Sequence, residues 1–158
     1  MVDAPGPLSG IRVADFSTHA AGPFAGLMMA EMGAQVIKVE SSARLDITRR
    51  PHPMYGKPAP SFEQVNANKM SATLNLKEPR AIELALELAK VSDLVLQSFR
   101  PGVFDRLGFG YEALRKAKPD IILVSLSSNG QSGPEYNYAG YAPLFAAIGG
   151  LGHLTGHP

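Results

Sequence analysis

Short apolar runs alternate with helix-like segments along most of the chain. Five of these runs predict β-strands, at residues 11–16, 35–40, 72–76, 94–99 and 121–126. The last two are almost continuously apolar, which is typical of strands that are buried on both faces. Strands that alternate with helices predict a parallel sheet joined by right-handed crossovers. The sequence therefore predicts an α/β fold, a Rossmann-like parallel sheet flanked by helices.

Helices are predicted in the segments between the strands. The clearest covers residues 79–91, where Pro79 stands in the first turn and its missing N–H costs little. The other helical segments are residues 24–32, the short segment that carries Asp105 and Arg106, the segment that begins at Tyr111, and residues 141–148. Two predicted loops and one ambiguous stretch remain: residues 41–60, 127–139 and 62–70.

Composition narrows the class of protein. The chain has 158 residues, of which 45% are apolar and 18% charged, and this is the balance of one globular domain. A formal net charge of +1 gives no reason to expect a nucleic-acid partner. No apolar run reaches the ~18 residues that suggest a membrane span, and the first ten residues lack the features of a signal peptide.

The chain contains no cysteine. Disulfides, thiolate metal sites and a cysteine nucleophile are therefore excluded for these residues, and a reducing compartment fits. We expect a cytoplasmic protein that makes no contact with a membrane.

Ligands of parallel α/β sheets bind at the carboxyl ends of the strands. In this chain those ends are residues 17–23, 40–44, 76–79, 98–106 and 127–134. The strongest candidate is the strand that stops at Arg100-Pro101-Gly102 and leads into the start of a helix. Because Arg100 and Arg106 flank that helix start, phosphate binding is favoured over a surface role for them.

Standard catalytic and nucleotide-binding motifs are missing. There is no P-loop, no GxGxxG after the first strand, no HExxH, no GxSxG and no spaced set of metal ligands. Binding of NAD or ATP by the common routes is therefore not favoured, and we expect no metal. A generic nucleotide-binding or interaction module of Rossmann-like shape stays open as an alternative.

Three polar residues remain as candidates for chemistry. His19 is the only one of four histidines at a predicted strand end, although a lone loop histidine is more often structural. Asp15 could act on a ligand, but hydrogen bonds to loop amides are the favoured role. Lys69 could bind a phosphate or hold a loop, and its spacing decides neither.

Two further groups of residues are assigned structural roles. One is a set of arginines expected on the solvated face of a loop, Arg44, Arg49 and Arg50. The other is a set of methionines at helical spacing, for which core filling is strongly favoured over ligand binding: Met28, Met29 and Met32.

Four stretches together resemble the family III CoA-transferases, the group that includes formyl-CoA transferase, the carnitine CoA-transferase and α-methylacyl-CoA racemase. They are LSGIRVADF at residues 8–16 with Ala21-Gly22-Pro23 after it, MGAQVIKVE at residues 32–40, NANKMS at residues 66–71, and FRPGV at residues 99–103. The order and spacing match over nearly the whole chain, including residues 127–134 and Gly140-Tyr141. Each stretch is weakly diagnostic alone, but the set is specific.

The resemblance implies that residues 1–158 are the N-terminal, CoA-binding part of the large domain of such an enzyme. A small domain and a returning C-terminal segment would lie outside this chain. Family members transfer CoA between an acyl-CoA and a carboxylic acid through an aspartyl anhydride and an enzyme–CoA thioester. The nucleophilic aspartate would lie beyond Pro158, so no catalytic residue is expected within the chain. The resemblance also implies a dimer of linked chains.

The resemblance further implies a set of CoA contacts at the strand ends. The residues that match are His19, Ala20 and Ala21 around the thioester, Leu76 and Lys77 around the adenine and phosphates, and Ser98, Phe99, Val103 and Arg106 around the nucleotide and pantetheine. Arg106 is the best candidate for a phosphate ligand among them. The expected substrates are acyl-CoA and a carboxylic acid.

Four positions depart from the family pattern. Ser41 stands where some members have an arginine, and Ala20 stands where some transferases have a glutamine. Tyr141-Ala142 replaces the His-Asp pair of the racemase branch, which counts against racemase chemistry. Ala142 also replaces an acid found in some transferases. A non-catalytic CoA-binding subunit of a heteromeric transferase is therefore an alternative to a homodimeric enzyme.

Overall fold

The computed structural model describes residues 6–43, 45–50 and 61–156. In this part of the chain five strands form one sheet: β1 Arg12–Asp15, β2 Gln35–Glu40, β3 Met70–Thr73, β4 Leu94–Gln97 and β5 Ile122–Ser125. Their order is β3-β2-β1-β4-β5, and every neighbouring pair is parallel. The predicted α/β fold with a Rossmann-like parallel sheet is confirmed.

Seven α-helices connect or follow these strands in the described part of the chain. They are α1 Ala21–Glu31, α2 Ser61–Asn66, α3 Pro79–Lys90, α4 Val103–Arg106, α5 Tyr111–Ala117, α6 Ala142–Ile148 and α7 Leu151–Thr155. A short 3-10 helix covers Ile47–Arg49. Within the described residues, none of these helices combines the length and the apolar character needed to span a membrane.

The strand order reverses at β1 and β4. The chain adds β2 and β3 on one side of β1, then returns to place β4 and β5 on the other side. Asp15, the last residue of β1, therefore lies opposite Lys38 of β2 and Leu96 of β4. In parallel α/β sheets the crevice at such a reversal is where ligands bind. The carboxyl ends of β1 and β4 are thus the first place to look for a site.

Alternate residues of the central strands enter two separate cores, as the two-residue period of a strand requires. Val13 and Leu96 pack with Ala30 of α1 on one face of the sheet. Ala14 and Val95 point to the other face, which α3, α4 and α5 cover. Since β1 and β4 are buried from both sides, their carboxyl ends have a rigid base.

Three buried phenylalanines lie under the carboxyl ends of β1 and β4. Phe16 follows β1, Phe104 lies in α4, and Phe109 lies in the turn after α4. Their ring centroids are 4.9 Å (Phe16–Phe109), 5.1 Å (Phe104–Phe109) and 5.9 Å (Phe16–Phe104) apart, with edge-to-face geometry. This cluster fastens the short helix α4 beside the end of β1.

Two strand predictions were wrong in detail. The third strand, predicted at residues 72–76, is β3 at Met70–Thr73, because its pairing with β2 ends where Thr73 meets Glu40. Leu74 and Leu76 lie past this pairing but pack on the core from the loop, which explains their alternating pattern. The fifth strand was expected to be buried on both faces. Its faces are only partly buried: Leu123 and Val124 pack against opposite cores, but Ile122, on this edge strand, is 56% exposed.

The structure also settles several smaller points. The ambiguous stretch 62–70 divides into α2 and the start of β3, and α7 follows α6 without having been predicted. Met29 packs against the core, but Met28 and Met32 are 43% and 42% exposed, so the prediction of core filling was wrong for those two. The expectation for Arg44 and the part of the predicted loop at residues 51–60 fall outside the described residues.

The aromatic cluster generates a stability prediction. Phe109 is fully buried, whereas Phe24 on α1 is 54% exposed. In the protein that contains this chain, Phe109→Ala should lower the free energy of unfolding by about 3–5 kcal/mol through lost burial and a cavity. Phe24→Ala, the matched control, should change it by about 0.5 kcal/mol. Urea unfolding measures both values, and equal losses would contradict the packing described here.

Candidate functional site

The loops that follow β1 and β4 meet at the carboxyl edge of the sheet. The backbone N–H of Thr18 donates to Ser98 Oγ at 2.8 Å, and Ser98 Oγ donates to the Thr18 carbonyl at 3.1 Å. Residues 80 positions apart in sequence are therefore joined by a reciprocal pair of hydrogen bonds. This junction joins the two loops at the point where the strand order reverses, and the candidate site is built around it.

A groove of about 400 Å³ lies between the start of α3 and the end of α4. Leu76, Lys77 and the first turns of α3 form one wall, and Arg106 and Leu107 form the other. Three residues predicted as CoA contacts, Leu76, Lys77 and Arg106, therefore line one groove. The side chains of Lys77 and Arg106 belong to exposed residues, so the groove presents two cations to a ligand.

The other predicted contacts lie on the same edge but outside the lining of this groove. Ser98 and Val103 are half-buried at the end of β4 and the start of α4. Phe99 packs partly into the core, with its ring centroid 5.2 Å from that of Phe104. His19 and Ala20 in the loop after β1, and Ala21 at the start of α1, are all exposed.

Arg100 precedes the short helix α4, whereas Arg106 is the last residue of that helix. It lines a different cavity of about 200 Å³, together with Gln97, Asp105 and Tyr111. The two arginines that the sequence placed at one helix start therefore face two different spaces. Gln97 was not singled out from the sequence; it is buried, and its side-chain oxygen accepts the Phe99 N–H at 2.6 Å.

His19 adopts an unusual backbone conformation in the loop after β1. Its φ angle is +70°, in the left-handed region that residues other than glycine rarely adopt. Its N–H donates to the Asp46 carboxylate, at 3.2 Å and 3.3 Å from the two oxygens. The imidazole lies 6.5 Å from the ring of Tyr141. The loop thus turns sharply at His19 and leaves its side chain accessible.

Asp15 and Lys69 form a buried ion pair beneath this loop. Lys69 Nζ donates to Asp15 Oδ2 at 2.9 Å, to the Pro23 carbonyl at 2.7 Å and to Asn66 Oδ1 at 2.9 Å. Since an ammonium has three protons, Lys69 is fully engaged. Of the two roles left open for Lys69, the structure supports holding a loop. Burial lowers the pKa of Lys69, and the attraction of Asp15 opposes that effect.

Asp15 has the role that the sequence favoured. Its other oxygen accepts hydrogen bonds from the backbone N–H of Ser17, at 2.9 Å, and from the Ser17 hydroxyl. The carboxylate is fully buried and already engaged by partners on both oxygens. It shapes the start of the loop and is not accessible to a ligand.

A second buried ion pair, Lys38–Asp46, was missed from the sequence. Lys38 Nζ lies 3.5 Å from Asp46 Oδ2 and also donates to the Ser17 carbonyl. Their side chains are 2% and 1% exposed. One signal for it was available in the sequence. Lys38 lies in an apolar strand, two residues from both Val36 and Glu40, so all three side chains are on the same face. A loop aspartate such as Asp46 carries no comparable signal.

The Asp46 carboxylate has several hydrogen-bond partners besides Lys38. Its Oδ1 accepts the Thr48 N–H at 3.0 Å and the Thr48 hydroxyl at 2.7 Å, so it caps the 3-10 helix. Burial raises the pKa of Asp46, but the hydrogen bonds from Thr48 and the charge of Lys38 outweigh burial and hold that pKa below its usual range. Asp46 is therefore a stable anion at neutral pH.

Helix α1 approaches the loop closely because two of its positions are glycine. A Cβ atom added to Gly22 would lie 2.2 Å from Ser17 Cβ, and one added to Gly26 would lie 2.8 Å from Asp15 Oδ2. Neither distance is possible without movement of the loop or of the ion pair. The small residues of α1 thus make room for the buried charges.

Glu40, at the end of β2, binds Arg49. The guanidinium donates to both carboxylate oxygens, at 2.7 Å to 3.2 Å, and stacks over the Phe62 ring at 3.4 Å from its centroid. The prediction that Arg49 belongs to a solvated loop face was wrong, whereas Arg50 is exposed as expected. Burial raises the pKa of Glu40, but the Arg49 hydrogen bonds and the Asp46 N–H outweigh it and lower that pKa.

The arrangement can bind and orient an anionic ligand. Two exposed cations line the groove, and a rigid loop lies at the neighbouring strand end. Among the residues that the structure describes, no three histidine, aspartate or glutamate side chains come together as a metal site.

Comparison with known families gives a match over almost the whole chain. The model of "CoA-transferase family III" matches residues 8–158. Succinyl-CoA:glutarate CoA-transferase of Mus musculus is 39% identical over 155 residues, which are 98% of this chain and 36% of that protein. The succinyl-CoA–L-malate CoA-transferase beta subunit of Chloroflexus aurantiacus is 36% identical over 96% of this chain and 38% of that subunit. The chain thus spans little more than a third of these relatives.

A solved structure has the same fold. The crystal structure of a CAIB/BAIF family protein from Brucella suis superposes with a TM-score of 0.89 at 34% sequence identity. The match covers 98% of this chain and 42% of that one.

The ion pair of Glu40 generates a pH prediction. Because the folded-state pKa of Glu40 is lowered, its stabilising effect is present above about pH 4.3, the usual glutamate pKa, and is lost as the pH falls through the folded value. At pH 7, Glu40→Gln should lower the free energy of unfolding by about 1–2 kcal/mol.

The difference between Glu40→Gln and the unmodified protein should shrink at pH 3.5, as measured by urea unfolding. Glu83→Gln is the control, because Glu83 pairs with Arg80 on the exposed face of α3 and such pairs contribute little. A Glu40 effect that is equal at both pH values would contradict the assignment.

Proposed function

The chain belongs to CoA-transferase family III, and from this we propose that the protein containing it transfers CoA between an acyl-CoA and a carboxylic acid. The observation that carries the proposal is the groove in which Leu76, Lys77 and Arg106 come together at the carboxyl edge of the sheet. In this proposal residues 1–158 supply the CoA-binding part of the large domain. The remaining parts of the family fold lie outside this chain.

The groove suits the nucleotide end of CoA. The phosphates of CoA are strong anions, and Lys77 and Arg106 offer charge-assisted hydrogen bonds from opposite walls. Leu76 and Ile82 give the groove an apolar component that a purine ring can contact. We assign Arg106 as the main phosphate ligand, ahead of Arg100, which lines the other cavity.

The remaining predicted contacts extend from the groove towards the loop after β1. Ser98, Phe99 and Val103 are proposed to contact the nucleotide and pantetheine. His19, Ala20 and Ala21 are proposed to line the thioester end. The support for this direction is the hydrogen-bonded junction between Thr18 and Ser98, which joins the two loops.

The proposed chemistry is covalent catalysis by a carboxylate. An aspartate oxygen attacks the thioester carbonyl, the C–S bond breaks, and CoA leaves as a thiolate, giving a mixed anhydride. The thiolate attacks the aspartyl carbonyl and releases the first carboxylate, giving an enzyme–CoA thioester. The acceptor carboxylate repeats the two steps in reverse order and restores the aspartate, with no net proton transfer.

We assign no nucleophile within this chain. Asp15, the acid closest to the loop in sequence, is buried and paired with Lys69. The aspartate of the proposed mechanism would be contributed by residues beyond Pro158. The part played by the described residues is to bind CoA and to hold the loop that faces the reacting carbonyl.

A second candidate is a non-catalytic CoA-binding subunit of a heteromeric transferase. Ala20 and Ala142 favour it, because both stand at exposed positions where some transferases carry polar or acidic side chains. The beta-subunit relative of Chloroflexus aurantiacus gives a precedent for separate subunits.

A homodimer is the other proposed assembly, and a cytoplasmic location is proposed from the lack of cysteine. An α-methylacyl-CoA racemase is less favoured, because Tyr141 replaces the histidine of that branch.

The enzymatic proposal is tested with the whole protein. Supplied with succinyl-CoA and a panel of dicarboxylic acids, it should form the acceptor acyl-CoA and accumulate an acyl-enzyme that hydroxylamine traps. Chromatography of the CoA esters measures the exchange. CoA binding without exchange or trapping would favour the non-catalytic subunit, and a preference for NAD or ATP over CoA in calorimetry would refute both candidates.

Arg106 provides a test of the binding groove. Arg106→Gln should raise the dissociation constant for CoA about tenfold, because a charge-assisted bond to phosphate is lost. Arg115→Gln, at an exposed arginine of α5, is the matched control and should leave the constant unchanged. Calorimetric titration with CoA measures both, and equal effects of the two substitutions would place the phosphates elsewhere.

A further inference from the structure

The Lys38–Asp46 pair contacts the loop after β1 at two points. Lys38 Nζ donates to the carbonyl of Ser17, the second residue after the strand. The Asp46 carboxylate accepts the N–H of His19, where the loop turns. The two groups also pair with each other at 3.5 Å, so a single buried unit contacts both points.

The loop needs such support because His19 has a φ angle of +70°. A residue other than glycine in this region is strained, and the strain persists only when the surroundings determine the conformation. Glycine at position 19 would relieve the strain, but it would also remove the imidazole. The Asp46 carboxylate instead compensates the strained backbone by accepting its N–H.

Burial of two charges is an inefficient way to stabilise a fold. Desolvation offsets most of the attraction, and an apolar pair of the same volume is often equally stable. What an ion pair adds is direction, since its hydrogen bonds fix particular backbone groups in particular places. Two partners of the pair are backbone groups of the loop, the Ser17 carbonyl and the His19 N–H, and Thr48 of the 3-10 helix fixes the Asp46 carboxylate.

We infer that Lys38 and Asp46 are a pair of positioning residues that hold residues 17–19 in the conformation that presents His19 and Ala20 to the acyl thioester. This inference rests on the proposed CoA transfer for its functional consequence, while the conformational part stands on the contacts above. Neither residue touches the substrate in this scheme.

The test uses the whole protein with Lys38→Met, Asp46→Asn and the double variant that carries both. The double variant removes both charges, so stability should recover relative to the single variants. The hydrogen bond to the Ser17 carbonyl is lost with the lysine, and asparagine offers the His19 N–H one neutral amide oxygen in place of a carboxylate. Asp93→Asn is the matched control. Asp93 also accepts a backbone N–H, that of Arg12 at 2.8 Å, and pairs with Lys118 at 3.3 Å, but at the opposite edge of the sheet.

Three quantities are measured: kcat and KM for the acyl-CoA, hydrogen exchange by mass spectrometry in a peptide spanning residues 16–22, and the free energy of unfolding. The single and the double variants should lose about tenfold or more in kcat, because small misplacements at a reacting centre are costly. Their peptide should exchange faster than that of the unmodified protein. Asp93→Asn should change neither quantity.

The outcomes separate positioning from stability and from the proposed function. Recovery of stability without recovery of kcat or slow exchange in the double variant supports the inference. Recovery of all three together, or no change in exchange in any variant, overturns it. Should Lys38→Met fail to fold, the near-isosteric Asp46→Asn decides alone. If the unmodified protein shows no CoA exchange, the proposed function fails, and the hydrogen-exchange data still decide whether the pair holds the loop.

Discussion

The ion pair between Asp15 and Lys69 is the constraint on which the site depends. It joins the end of the central strand β1 to the segment before β3, and through the Pro23 carbonyl it also fixes the start of α1. All three elements converge at the point where the strand order reverses. The cost of burying two charges is met by complete hydrogen bonding, and in the described residues no buried side-chain polar atom is left without a partner.

Around this pair the structure separates a rigid base from an accessible edge. The base consists of buried charges, two close-packed glycines of α1 and the aromatic cluster of Phe16, Phe104 and Phe109. The edge consists of exposed residues, among them His19, Lys77 and Arg106. A site on rigid elements keeps its geometry when a ligand arrives, which is the condition for preorganised binding. CoA is the ligand that the proposed function assigns to this edge.

Sequence patterns predicted the fold well, but they predicted the contacts of individual residues poorly. Strand and helix periodicity was sufficient for the parallel sheet, because buried parallel strands leave long apolar runs. It failed for β5, whose apolar run matches a fully buried strand although β5 has a neighbouring strand on one side only among the described residues. It failed also for Arg49, because nothing in a loop sequence reveals that Glu40 and Phe62 lie within reach.

The sequence by itself determined the fold class and the family to which the chain belongs, because these depend on local periodicity and on ordered motifs. It also predicted the edge of the sheet at which the site is proposed. Only the tertiary structure decided how the charged residues pair. It showed that Lys69 is held by Asp15, that Lys38 and Asp46 contact the loop at Ser17 and His19, and that Arg106 and Arg100 line different cavities. Lys69 and Asp15 are 54 positions apart, and such a contact depends on strand register and helix packing rather than on spacing in the sequence.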